Sequence, residues 1–174
     1  MVLNVLARVT WIAYLVYAFA MWPSLFRLRY GRWPFAYSLL RIDRYSVIEA
    51  SYAAALALFT AALMLGQQPQ PASEHGGCAI LAAGWILQVW SVECMKGNWR
   101  IGQDPSGADV RYVTHGPFRL LRHPIYVSLV LIAMGQTLLT GLDRRTWLLS
   151  TTTLVYSVVQ GYAEGRSWKT RRRS

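Results

Sequence analysis

Acidic residues are scarce in this chain: eight Asp and Glu stand against eighteen Lys and Arg in 174 residues, a formal net charge of +10. Charge of either sign is sparse, at 15% of residues, well under the usual quarter, which argues against an ordinary water-soluble globule. Cysteine is nearly absent. Cys78 and Cys94 have no partner at metal-ligand spacing, so neither a disulfide framework nor a zinc–thiolate site is expected. His115 and His123 lie in a Gly/Pro-rich stretch with no thiol or acid at ligand spacing, and no metal is expected there either. A glycine-rich phosphate loop and a nucleophile elbow are also missing. The surplus of positive charge does not point to nucleic acid. The basic residues sit between long apolar runs rather than along one polar face.

Those apolar runs dominate the chain, which is 54% hydrophobic with a mean hydropathy of +0.25. Five stretches approach the roughly 20 helical residues that cross a bilayer core. They cover residues 9–26, 46–66, 78–95, 125–142 and 147–162, and the last is weakened by Thr151, Thr152 and Thr153. An all-α polytopic membrane protein with about five transmembrane helices is therefore expected, built as a single domain. Residues 1–95 would form a helical scaffold and residues 96–174 a catalytic half. Ala18-Phe19-Ala20 resembles a signal-peptidase site, but Arg8 alone precedes it and an Arg-rich segment follows, which disfavours cleavage.

Loop charge sets the expected orientation. Fifteen Lys and Arg fall in the first loop, the third loop and the tail, against Arg144 and Arg145 in the fourth loop and none in the second. The amino terminus should then face outward and the carboxyl terminus the cytoplasm. Trp33, Pro34, Phe35 and Tyr37 in the first loop suit the headgroup zone. Ala53, Ala57 and Ala61, four residues apart, are expected to pack a neighbouring helix.

The third loop, residues 96–124, is the densest polar region and is broken into turns by Gly97, Gly102, Pro105, Gly107, Gly116 and Pro117. Gly116-Pro117 can open a short helix, and Pro124 the fourth span, with His123 extended before it. A helix start exposes unpaired N–H groups and positive dipole charge. Arg119, Arg122 and His123 beside it make a site for an anion, either lipid phosphate or ligand. Glu49 and Glu93 fall within or at the edge of apolar runs that also hold Gln88, Gln136 and Gln160. Intramembrane acids are costly and point to function or to an Arg partner.

One stretch of about 45 residues resembles the integral-membrane methyltransferases, the isoprenylcysteine carboxyl methyltransferases and phospholipid N-methyltransferases. It reads Val113-Thr114-His115-Gly116-Pro117-Phe118, then Arg122-His123-Pro124-Ile125-Tyr126, then Gly135-Gln136-Thr137 within an apolar helix. The resemblance implies S-adenosyl-L-methionine as cofactor and methyl transfer to a hydrophobic or lipid-embedded acceptor at the cytoplasmic face. Membrane lipid would surround the protein. The resemblance places Gln103, Val110, Arg111, Tyr112, Val113, Phe118, His123, Pro124, Ile125 and Tyr126 around the cofactor, the run from Val110 to Val113 being strand-like. It gives the catalytic work to Glu164 and Arg122.

The acidic motif that the family carries after its last span is here reduced to Glu164, and the chain stops before any Phe-Gly-x-x-Tyr. An Arg expected one turn earlier, to hold an acidic substrate, falls near Gln160 and is absent. Carboxylate, amine and thiol acceptors all stay open, with a prenyl-cysteine carboxylate the least favoured. The related sterol reductases, which bind NADPH, are an alternative, as is a non-catalytic membrane protein. The intact Arg-His-Pro-x-Tyr favours the methyltransferases.

Overall fold

A computed structural model describes residues 2–34, 44–66, 72–100 and 113–171, with side chains placed for most of them. Among the described residues every regular element is helical, and the helices group into five rods that coincide with the five apolar stretches. The first rod is α1 (Val2–Val16), a π-helical turn (Tyr17–Met21) and α2 (Trp22–Tyr30), joined end to end. Proline explains the turn. Pro23 has no N–H to donate, and its ring would strike the carbonyl one turn earlier in a regular helix. The chain widens instead, and the Trp22 N–H bonds Tyr17 O, five residues back. Gly31 ends the rod in the left-handed region at φ 69°, returning its N–H to Arg27 O.

The second and third rods are α3 (Arg44–Leu65) and α4 (Glu74–Met95). Ser73 caps α4 by accepting from the Gly76 N–H, with Glu74 in the first turn against the helix dipole. The fourth rod, α5 (Pro124–Thr140), starts on proline; His123 before it is kept out of the helical region, as the X-Pro step requires, but at φ −134° and ψ 66° it is not the fully extended residue expected. The fifth, α6 (Arg144–Arg171), is capped by Asp143, whose Oδ1 accepts from the N–H groups of Arg145 and Thr146 at 2.9 Å each. It runs well past the expected end at residue 162, carrying Glu164 on a continuous helix.

Among the described residues, three helices are long and apolar enough to cross a membrane: Val5–Tyr30, Val47–Leu65 and Glu74–Asn98. Pro124–Thr140 is equally apolar but shorter. The outer faces of the three long helices carry Leu28, Leu58, Leu65 and Ile86, and that of α6 Val158, all more than half exposed. Apolar surface of that extent belongs against lipid.

Packing follows the order α4 on α5, α5 on α6, α3 on α6 and α1 on α5. Small residues bring α4 and α5 together. A Cβ on Gly135 would stand 2.6 Å from the Leu81 backbone N, and one on Gly84 2.9 Å from that of Ile132. Polar threads tie the rods where apolar packing gains little over lipid. Gln136 Nε2 donates to Ala7 O at 2.8 Å and Trp11 Nε1 to Thr60 Oγ1 at 2.8 Å, while Thr137 and Ser150 share a 2.8 Å bond. The expected alanine stripe does not pack a neighbour. Ala57 and Ala61 are exposed and Ala53 borders the cavity described below, while α3 buries the larger Leu56, Phe59 and Leu63, which fill more of the space between rods.

Candidate functional site

A cavity of about 340 Å³ opens among the rods at the end where α5 begins. Its walls come from the π-helical turn and α2 (Tyr17, Phe19, Trp22), α3 (Glu49, Tyr52), α4 (Gln88, Val92), the loop after α4 (Trp99, Arg100), the 3₁₀ turn before α5 (Phe118), α5 and α6. Most of the lining is aromatic or aliphatic, with a few polar groups converging on it, the usual character of a small-molecule site.

The 3₁₀ turn Gly116–Arg119 shows why the motif needs its glycine. Gly116 has φ +61°, and a Cβ there would lie 2.4 Å from Cys94 Sγ and 3.2 Å from Trp90 Nε1. With the turn seated against α4, Pro117 is buried and Phe118 reaches the cavity wall. His123, Pro124, Ile125 and Tyr126 follow it onto the same wall.

Glu164 sits across from them on α6. The Tyr126 hydroxyl donates to Glu164 Oε1 at 2.5 Å, and His123 Nδ1 stands 3.4 Å from Oε2. The positive start of α5 therefore faces a carboxylate supplied by the protein itself. Gly161, one turn before Glu164, lies beside the imidazole, with room for a Cβ that would meet His123 Cδ2 at 3.5 Å, ordinary contact. Arg119 and Arg122 point elsewhere. Both are exposed, and neither lines the cavity. Arg100 does line it.

Of the other residues singled out from the sequence, Val113 is buried but off the cavity wall. Gln103, Val110, Arg111 and Tyr112 lie outside the described residues. Glu93 pairs with Arg29 at 3.3 Å on the surface, the structural role open to it from the start. Glu49 is different: it is 7% exposed and faces the cavity, and Gln160 Nε2 lies 3.5 Å from its Oε1.

Sequence reasoning missed the tyrosines around that acid. Tyr52 and Tyr156 stack at 4.2 Å, and Tyr126 meets Tyr156 edge-on at 6.3 Å. A signal was there to be read. Tyr156, Gln160 and Glu164 recur every four residues, and Glu49, Tyr52 and Leu56 every three or four, each set on one helix face. The donor set suits S-adenosyl-L-methionine: a carboxylate for its ammonium, His123 and Arg100 for its carboxylate, and aromatic walls for its adenine.

No curated protein and no solved structure matches the chain. The family model for phospholipid methyltransferases matches residues 73–169, which takes in α4, the Gly116 turn, α5 and α6 as far as the tail. That match spans more than half of the chain and contains the His123, Tyr126 and Glu164 cluster, so the chain belongs to the phospholipid methyltransferase family, a family of membrane methyltransferases.

Proposed function

We propose that the cavity binds S-adenosyl-L-methionine and that the protein methylates a hydrophobic or lipid-embedded acceptor at the cytoplasmic membrane face. The observation that carries this reading is the Glu164 carboxylate, held by Tyr126 and His123 on the wall of an apolar cavity inside the family-matched segment. Glu164 would hold the cofactor's ammonium. His123 and Arg100 would hold its carboxylate, and Arg122, exposed and off the cavity wall, would act only as a distant positive charge. Phe118, Pro124, Ile125 and Tyr126 would flank its rings; the roles that the family resemblance gives Gln103, Val110, Arg111 and Tyr112 fall outside the described residues, and Val113 would support the site from behind its wall. When bound, the cofactor supplies an electrophilic methyl group on a sulfonium.

The protein's own contribution is placement and dryness. Tyr126 and His123 fix the Glu164 carboxylate in one orientation before any ligand arrives, which lowers the ordering cost of binding. The aromatic walls exclude water that would compete as nucleophile. The cavity lies among helices whose outer faces are lipid-facing, so an acceptor already dissolved in the bilayer reaches it without crossing water. The orientation that accompanies this reading has the amino terminus outside and the carboxyl terminus cytoplasmic, on the cofactor's side.

Calorimetry of the purified protein in lipid nanodiscs tests the proposal. Saturable binding of S-adenosylmethionine and of S-adenosylhomocysteine is expected. Binding of NADPH in their place would move the chain's activity to reductive chemistry. Binding of none of the three would overturn the enzymatic reading.

A further inference from the structure

The end of the bundle away from the cavity has few basic residues, yet two of its arginines meet at one glycine. Arg8 Nη2 donates to Gly66 O at 3.1 Å, and Arg145 Nη1 donates to Ala62 O, one turn earlier on α3, at 3.4 Å. Glycine at position 66 leaves the second guanidinium its space, since a Cβ there would collide with Arg145 Nη1. Three rods contribute: α1 through Arg8, α3 through its last carbonyls and α6 through Arg145.

Their charge is answered only in part. The carbonyl end of α3 offers about half an elementary negative charge, against two full positive ones. Asp143 lies 3.8 Å from Arg145, but its Oδ1 already caps α6. Arg8 has no carboxylate partner among the described residues, and its Nε is buried without an acceptor. A guanidinium inside a membrane-crossing helix is costly to keep, and its fork of N–H groups matches paired oxygens on a phosphate. The surroundings favour a lipid as the source of that phosphate. Arg8 lies near the start of the first span, Gly66 directly after α3 and Arg145 in the first turn of α6, all at the depth of headgroups. Beside them Leu65, Trp147 and Leu142 are 89%, 61% and 57% exposed. Tryptophan suits the interface and the leucines offer apolar surface to acyl chains. A free anion would gain nothing from that surface.

We infer that Arg8 and Arg145 form a binding site for the phosphate of a phospholipid in the leaflet opposite the cavity. An anionic lipid is preferred over a zwitterionic one, whose own ammonium competes with the arginines for the phosphate. The bound headgroup bridges α1, which lies outside the segment matched by the family model, to α6, which lies inside it. The site is separate from the cavity and does not depend on the methyltransferase reading.

The test follows lipid retention by native mass spectrometry and thermal unfolding of the full chain in neutral detergent. Phosphatidylglycerol, phosphatidylcholine with the same chains, and inorganic phosphate are added in separate titrations. Phosphatidylglycerol is expected to bind most tightly and to raise the unfolding midpoint most. Arg8→Gln should weaken it about tenfold, the cost of a lost charged hydrogen bond. Arg145→Gln should weaken it less, about threefold, because water screens the more exposed side chain. Arg144→Gln is the control: this exposed neighbour makes no bond to α3 among the described residues, so lipid affinity should not change. Comparison with it also subtracts lipid held by the basic tail. Phosphatidylglycerol binding at wild-type strength in both Arg8→Gln and Arg145→Gln overturns the site. So does a loss of midpoint that is the same with and without the lipid, which would make the arginines caps of α3 and nothing more. Inorganic phosphate matching phosphatidylglycerol overturns the lipid assignment in favour of a free anion. Should Arg8→Gln fail to fold, Arg145→Gln against Arg144→Gln decides.

Discussion

The smallest unit with a distinct job is the Glu164 carboxylate with its two holders. Glu164→Gln keeps the shape and removes the charge, so affinity for S-adenosylhomocysteine should fall while the helix stays intact. Losing a charged hydrogen bond costs about 1.5–3 kcal/mol. The Glu164 side chain is 41% exposed, and solvent screening places the effect at the lower end, about tenfold. Arg122→Lys should change that affinity by less than about twofold, because an exposed guanidinium off the wall holds little that an ammonium cannot replace. Calorimetry on both variants checks the pair. A loss at Arg122 as large as that at Glu164 would mean that Arg122 grips the ligand directly.

Between helices, the decisive contact is the glycine seam of α4 and α5. Gly135→Ala would drive a methyl to 2.6 Å from the Leu81 N, with backbone on both sides and nothing flexible to yield. Overpacking of this kind costs about 1–3 kcal/mol, and thermal unfolding in detergent should show it. Gly161→Ala is the control: its nearest contacts are the His123 and Tyr126 rings at 3.5 and 3.6 Å, so the midpoint should scarcely move. The rods themselves were legible in the sequence, because apolar runs bounded by Pro, Gly and Arg leave few choices. Their ends were not. Arg8 and Arg27 look like loop residues yet sit inside the first rod, since long basic side chains can reach polar partners from within a helix. Arg8 does so by donating to Gly66 O at 3.1 Å. Thr151 to Thr153 dilute hydropathy without stopping α6, and Thr152 satisfies its hydroxyl on Leu148 O at 2.6 Å. At the site, His123, Tyr126 and Glu164 were readable from the motif. Glu49 stood out as an acid in an apolar run, but its place at the site did not, nor did Tyr52 and Tyr156, because the packing of α3 on α6 brings them to one wall.

At the scale of the whole molecule, the cavity draws on both the early and the late rods. The cavity takes Tyr14, Tyr17, Trp22, Glu49 and Tyr52 from the first two rods and its ionic cluster from the last two. Orientation is the remaining large-scale statement. Single cysteines at Ala72 and Thr114, both exposed, in a background without Cys78 and Cys94, should label from opposite sides. Ala72→Cys should react with an impermeant reagent in intact cells, and Thr114→Cys only after lysis. The reverse pattern would put the Gly116 turn outside, away from a cytoplasmic cofactor.

The π-helical turn at Tyr17–Met21 has a consequence for phase. One extra residue per turn rotates everything after it by about 100° relative to an uninterrupted helix. In the phase that the offset sets, Trp22 and Phe26 are buried and Arg29 meets Glu93. Removing one residue from the turn would swing those three side chains toward lipid as a block and would set the Pro23 ring against a regular helical turn. The widened turn thus acts as a phase adjuster, setting the face of α2 independently of the face of α1 in one unbroken rod.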